Sequence, residues 1–127
     1  MGQKRIGTVT SDALGIGSAA IEQVAEFTIA SGTENYELIP SSPFGFTIAR
    51  VEFEVETGHA STSALFSATG GAGDQRCGDI DTTVKGLNVE APLAGGPQRA
   101  VVAGSALWLY TGNNAVKGTL RVYYRPT

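Results

Sequence analysis

Acyl and phosphoryl transfer by a side-chain nucleophile need a base beside it, most often histidine. The chain offers one histidine, His59, and one cysteine, Cys77. His59 lies in Thr57-Gly-His-Ala60, a predicted turn between two β-prone runs, and no Gly-x-Ser-x-Gly elbow presents a serine to it. A solvated turn histidine is the expectation. Cys77, between Arg76 and Gly78 in a polar loop, has no second cysteine to pair with. It predicts an incidental thiol and a fold that does not rely on an oxidising compartment, so folding in a cytoplasm is the simpler expectation.

Metal centres of the His/Cys type need several such ligands. Asp74, Asp79 and Asp81 do cluster within a Gly-rich stretch, but their spacing departs from the EF-hand pattern. Aspartates that make turns are expected there, with no metal and no cofactor. Glu52, Glu54 and Glu56 stand at two-residue spacing, about 7 Å apart on a strand, which falls within glycosidase range. A wetted strand face supplies neither the cleft nor the raised pKa that such chemistry requires, so a charged outer face is expected. Gly15-Ile-Gly17-Ser-Ala-Ala20 matches a dinucleotide fingerprint in letters only. A Thr/Ser/Asp turn precedes it and no second βα unit follows. No catalytic residue is expected, and the chain does not read as an enzyme.

The elements that position these groups read as strands. Phe46 to Glu56 alternates, with Ala49, Val51, Phe53 and Val55 facing in and Arg50, Glu52, Glu54 and Glu56 facing out. Val24 to Ile29, Tyr36 to Ile39, Ser63 to Ala68, Asp79 to Val84 and Leu87 to Val89 are shorter predicted strands. Between Ala106 and Tyr124, two β-prone runs flank Gly112-Asn113-Asn114, which predicts an antiparallel hairpin. On its second arm Val116, Leu120, Val122 and Tyr124 share the dry face, and Lys117, Thr119, Arg121 and Arg125 the wet one. The acidic and basic rows are expected to meet, within a sheet or between subunits. Seven to nine short strands at intervals of about 8–12 residues predict an all-β, antiparallel two-sheet sandwich in one domain. Residues 1–18 read as an N-terminal arm or edge strand, and 19–127 as the sandwich.

Composition narrows the function classes. With 127 residues, 42% hydrophobic and 17% charged, the chain can bury one core. Its net charge of −3 lacks the basic stripe of a nucleic-acid binder. No apolar run reaches the length of a membrane helix. Met1-Gly-Gln-Lys-Arg5 has no apolar segment behind it and reads as neither a signal peptide nor a myristoylation site. No nucleic-acid or membrane partner is expected. The aromatics Trp108, Tyr110 and Tyr123 are the candidate contacts for another subunit or a ligand. Trp108 and Tyr110 alternate with Leu107 and Leu109, so one pair faces away from the core.

The order of elements resembles a family. Phe46 to Thr57, a Ser/Thr strand, Gly73-Asp74, Asp79-Ile-Asp-Thr-Thr83, Leu107 to Thr111, Gly-Asn-Asn-Ala, then Gly118-Thr-Leu-Arg-Val-Tyr-Tyr124 is similar to small β-sandwich structural proteins of tailed bacteriophages. The resemblance covers about residues 20–127 and rests on order, not on a diagnostic motif. It implies a jelly-roll-like virion protein of the head-decoration or spike/fibre type. That implies a homotrimer partnered by the phage capsid or other virion proteins, located in the virion after assembly in the host cytoplasm. A carbohydrate- or receptor-binding module, with a glycan as ligand, is the alternative.

Overall fold

Apolar residues alternating with charged ones make half-dry strands, and two sheets of such strands bury their dry faces against each other. The computed structural model describes residues 21–91 and 99–127. Its strands are β1 (Gln23–Ala30), β2 (Asn35–Ile39), β3 (Phe46–Thr57), β4 (Thr62–Phe66), β5 (Ile80–Asp81), β6 (Gly86–Val89), β7 (Ala100–Val101), β8 (Leu107–Tyr110) and β9 (Lys117–Pro126). One short 3-10 turn, Thr69–Gly71, interrupts the connection from β4 to β5. The first sheet runs β1-β9-β3-β6, with β7 paired to the other half of β3. The second runs β2-β8-β4-β5.

These pairings are nested. β4 pairs β5, β3 pairs β6 and β7, β2 pairs β8, and β1 pairs β9, all antiparallel. The chain is therefore one long antiparallel ribbon, its tip between β4 and β5, curled until β9 meets β3 and β8 meets β4. Such a folded ribbon is a jelly roll. The protein is an all-β, two-sheet antiparallel sandwich, as the strand spacing predicts.

The ribbon also corrects one expectation. The two C-terminal runs are not a hairpin, because β8 lies in the second sheet and β9 in the first. Gly112 takes a left-handed φ of 68°. The Asn113 side chain accepts from the Ala115 N–H at 2.8 Å, and the Thr111 hydroxyl donates to the Asn113 carbonyl. The Gly32 N–H donates to the Asn114 carbonyl at 2.7 Å. The segment bridges the two sheets, as a jelly roll requires of consecutive strands. Local turn chemistry favours a reversal but does not choose the sheet to which the next strand returns.

Phe46, Ile48, Val51, Phe53 and Val55 of β3 are buried, together with Leu120, Val122 and Tyr124 of β9. They pack on Leu65 of β4 and on Leu107 and Leu109 of β8 in one continuous core. The expected inward face of β3 is corrected at its start, where Ile48 is buried in place of Ala49. The β3–β9 register shifts between Ile48 and Arg50, a bulge that flips the parity of the strand. Phe46 and Tyr124 meet edge to face at 5.4 Å and close one end of the core.

The expected arm at residues 1–18, the Gly15–Ala20 fingerprint and the Gly/Pro break at 94–97 lie outside the described residues, the first residues of the expected sandwich with them.

Candidate functional site

The groups that could do chemistry are held in structural roles. His59 is exposed, and its Nδ1 accepts from the Ala60 N–H at 3.0 Å and lies 3.1 Å from the Asn113 amide nitrogen. Cys77 is not a polar-loop thiol. It is fully buried in the core, where its sulfur accepts from the Leu65 N–H and donates to the Gly78 carbonyl, each at 3.2 Å. Burial pushes that thiol up to about 12, far from a reactive thiolate at neutral pH.

The three aspartates do not converge. Asp74 lies 3.9 Å from Arg76, Asp79 accepts from Gln75, and Asp81 accepts from both the hydroxyl and the N–H of Thr83. Those two hydrogen bonds hold the Asp81 carboxyl below its ordinary range. Among the described residues no group of three or more His, Cys, Asp or Glu is placed to hold a metal ion. No helix among them is long and apolar enough to cross a membrane.

The outer face of the first sheet is a lattice of ion pairs. Arg121 bonds Glu26 at 3.0 Å and Glu54 at 3.1 Å. Glu22 joins Arg50 at 3.0 Å and Arg125 at 3.4 Å, and Lys117 meets Glu56 at 3.6 Å. Tyr123 belongs to this lattice, with its hydroxyl donating to Glu52 and the Arg50 guanidinium 3.8 Å above its ring. The acidic and basic rows do meet, within one chain. The carboxylates that could have resembled a glycosidase pair are each matched by a hydrogen bond or cation.

Trp108 and Tyr110 occupy the outer face of the second sheet, opposite in direction to the buried Leu107 and Leu109. The structure thus separates the three candidate contacts, with Trp108 and Tyr110 on one face of the sandwich and Tyr123 on the other. Tyr110 is packed edge to face against Phe66, and the 3-10 turn lies over it with Gly71 against its ring. The Gly70 N–H donates to Asn35 and fastens that turn. Trp108 stays half-buried in a lateral row that runs Glu37, Trp108, Phe66 and Gln75 across adjacent strands.

A buried polar seam stitches the sheets where β5 and β6 approach. Glu90 accepts from Arg99 at 2.8 Å and from the Gly78 N–H at 2.6 Å, with only 4% of its side chain exposed. Arg76 crosses the same seam to the Ala100 carbonyl at 2.9 Å. These residues carry folding energy and a fixed sheet-to-sheet distance, and no open cavity adjoins them in the described part of the chain.

Sequence reasoning missed a different feature. The large hydrophobics exposed among the described residues are Ile21, Val24, Val84, Leu87, Val89 and Val102. All lie at the two lateral edges of the first sheet. Ile21 and Val24 are at β1, and the other four flank or occupy β6 and β7. On β6 the usual alternation is inverted, since Leu87 and Val89 face solvent while Asn88 is half-buried and bonds back to Val84 and Gly86. Period two was legible there, but it does not say which side of the strand is dry.

No protein-family model matches the chain, and no curated protein or solved structure matches it.

Proposed function

We propose that this chain is a non-enzymatic structural protein of a tailed-phage virion, a capsid-decoration protein that binds the head as a homotrimer. The observation that carries the reading is the nested jelly-roll pairing, an architecture used by virus shell proteins and by lectins alike. A fold alone does not assign a function. Here it is joined by the engagement of His59, Cys77 and the glutamates in structural contacts, and by apolar residues left at the sheet edges. The resemblance in element order supplies the virion. Such a protein adds to a shell after assembly in the host cytoplasm and needs a partner surface, not a substrate.

The test is the protein inventory of purified phage particles by mass spectrometry. The expected result is this chain in fixed stoichiometry to the major shell protein. Particles that contain the shell protein but not this chain would overturn the reading.

The row Glu37-Trp108-Phe66-Gln75 favours a second reading, a carbohydrate- or receptor-binding module of a spike or fibre. An aromatic flanked by hydrogen-bonding side chains is the surface on which a sugar ring stacks. Trp108 is the sole tryptophan, so its fluorescence reports the site directly. A saturable emission change with an oligosaccharide, lost in Trp108→Ala, would move the assignment to this reading.

A further inference from the structure

The two free edges of the first sheet are complementary to each other. The sheet ends in β1 on one side and in β6 and β7 on the other, and these edges carry all the large exposed hydrophobics of the described residues. At the β1 edge, Val24 is 42% exposed on the same outer face as Glu26. At the β6 edge, Leu87 is 58% exposed and Val89 52%, again on the outer face, beside Glu54 and Glu52. Soluble proteins blunt such edges with charge, bulges or covering segments. Here β6 does the reverse and turns its apolar residues outward.

We infer that the β6 edge of one copy docks on the β1 edge of the next, continuing the first sheet from chain to chain. This inference rests on the assembly reading above and names its contact surface. The occupant is a second copy because the chain itself supplies both halves of the contact. β1 is antiparallel to β9, β9 to β3, and β3 to β6, so β6 meets the next β1 antiparallel.

An antiparallel register that seats Leu87 beside Val24 also seats Lys85 beside Glu26, since each pair lies two residues along its own strand. Lys85 is exposed and makes no ion pair with a described residue, and the Glu26 side chain is 56% exposed. A groove of about 300 Å³ between Glu54, Glu56, Lys85 and Gly118 opens at the same edge and leaves room for an incoming side chain. A contact that joins two different surfaces is heterologous and closes into a ring when its rotation permits. The symmetry of the ring follows from that angle.

Site-directed cross-linking of the full chain distinguishes this contact from its rivals. Val24→Cys and Leu87→Cys are prepared separately, each checked for the β-sheet circular dichroism of the parent, then mixed and oxidised. The expected result is a disulfide-linked dimer in the mixture and none in either variant alone, because Cys77 is buried. Cross-linking of Leu87→Cys with itself would mean a back-to-back contact and would overturn the inference. No cross-link at all would mean that another segment covers the strip, and would also overturn it.

A companion experiment separates this contact from the assembly reading itself. Glu26→Lys and Lys85→Glu should each lower the scattering mass toward a single chain, and the double variant should restore it. A mass unchanged by Leu87→Glu in a folded protein leaves assembly standing and removes only this contact. A parent protein that is monomeric removes both.

Discussion

Arg121 reaches diagonally across the β3–β9 ladder to Glu54, with its Nη2 3.1 Å from Oε1, although Glu52 is its direct cross-strand partner. Glu52 is taken instead by Tyr123 and Arg50. The hydrogen bond to Glu54 holds the Arg121 guanidinium above its ordinary range. The Glu54 side chain is 60% exposed, so the pair is worth at most about 1 kcal/mol and is screened by salt. Glu54→Lys and Arg121→Glu should each destabilise in low salt, and the double variant should recover part of the loss. Strictly additive effects in denaturant melts would show that the two do not interact.

Phe53 sets the scale of the core. It is fully buried on β3, and its ring packs beneath Gly118 of β9, where a Cβ would come 2.8 Å from the ring and 2.2 Å from the Glu54 carbonyl. Phe53→Ala should cost about 3–5 kcal/mol, the usual loss for a buried aromatic. Gly118→Ala should be destabilising for the opposite reason, overpacking against backbone that cannot move aside. A cost for Phe53→Ala below about 1 kcal/mol in urea unfolding would mean that the inward face is misassigned.

The seam should prove more fragile than the ion-pair lattice. Glu90→Ala strands the Arg99 guanidinium and the buried Gly78 N–H together. Breaking a buried pair by removing one partner costs about 3–5 kcal/mol, and the partial exposure of Arg99 places this case at the lower end. Thermal melts of Glu90→Ala and Glu54→Ala side by side test the ranking. Equal losses would show that the seam carries no special energy.

Cys77 makes stability fall in alkali. Its folded value is raised, to about 12 from an ordinary 9.0, so the folded state holds a proton that the unfolded chain releases first. That contribution is complete below about pH 9 and is lost as pH rises from there toward 12. Cys77→Ala should be less stable at neutral pH, yet show a shallower decline above pH 9 in denaturant titrations. The native thiol should also resist alkylation at pH 8 and react only on unfolding.

The strands themselves were legible because β3 and β9 alternate strongly, and the pairing of their charged rows followed from those patterns. The hairpin reading of residues 106–124 failed for a physical reason. Gly112-Asn113-Asn114 encodes a change of direction, whereas the sheet that β9 joins is decided by core packing of Leu120 and Val122 with Val51 and Phe53, dozens of residues away in sequence. The burial of Cys77 was hidden in the same way. Its neighbours Arg76 and Gly78 read as loop, but both are themselves buried in the seam. Trp108 and Tyr110 were legible as outward-facing. The apolar edges at Val24 and Leu87 were not, because exposure at a strand edge depends on which neighbour a strand lacks.

The central claim is a self-assembling, non-catalytic jelly roll, and its most direct test is the mass of the full chain in solution. Multi-angle light scattering across micromolar concentrations should report a discrete oligomer, three times the 13.1 kDa chain for the proposed trimer. A steady 13.1 kDa over that range would contradict the account.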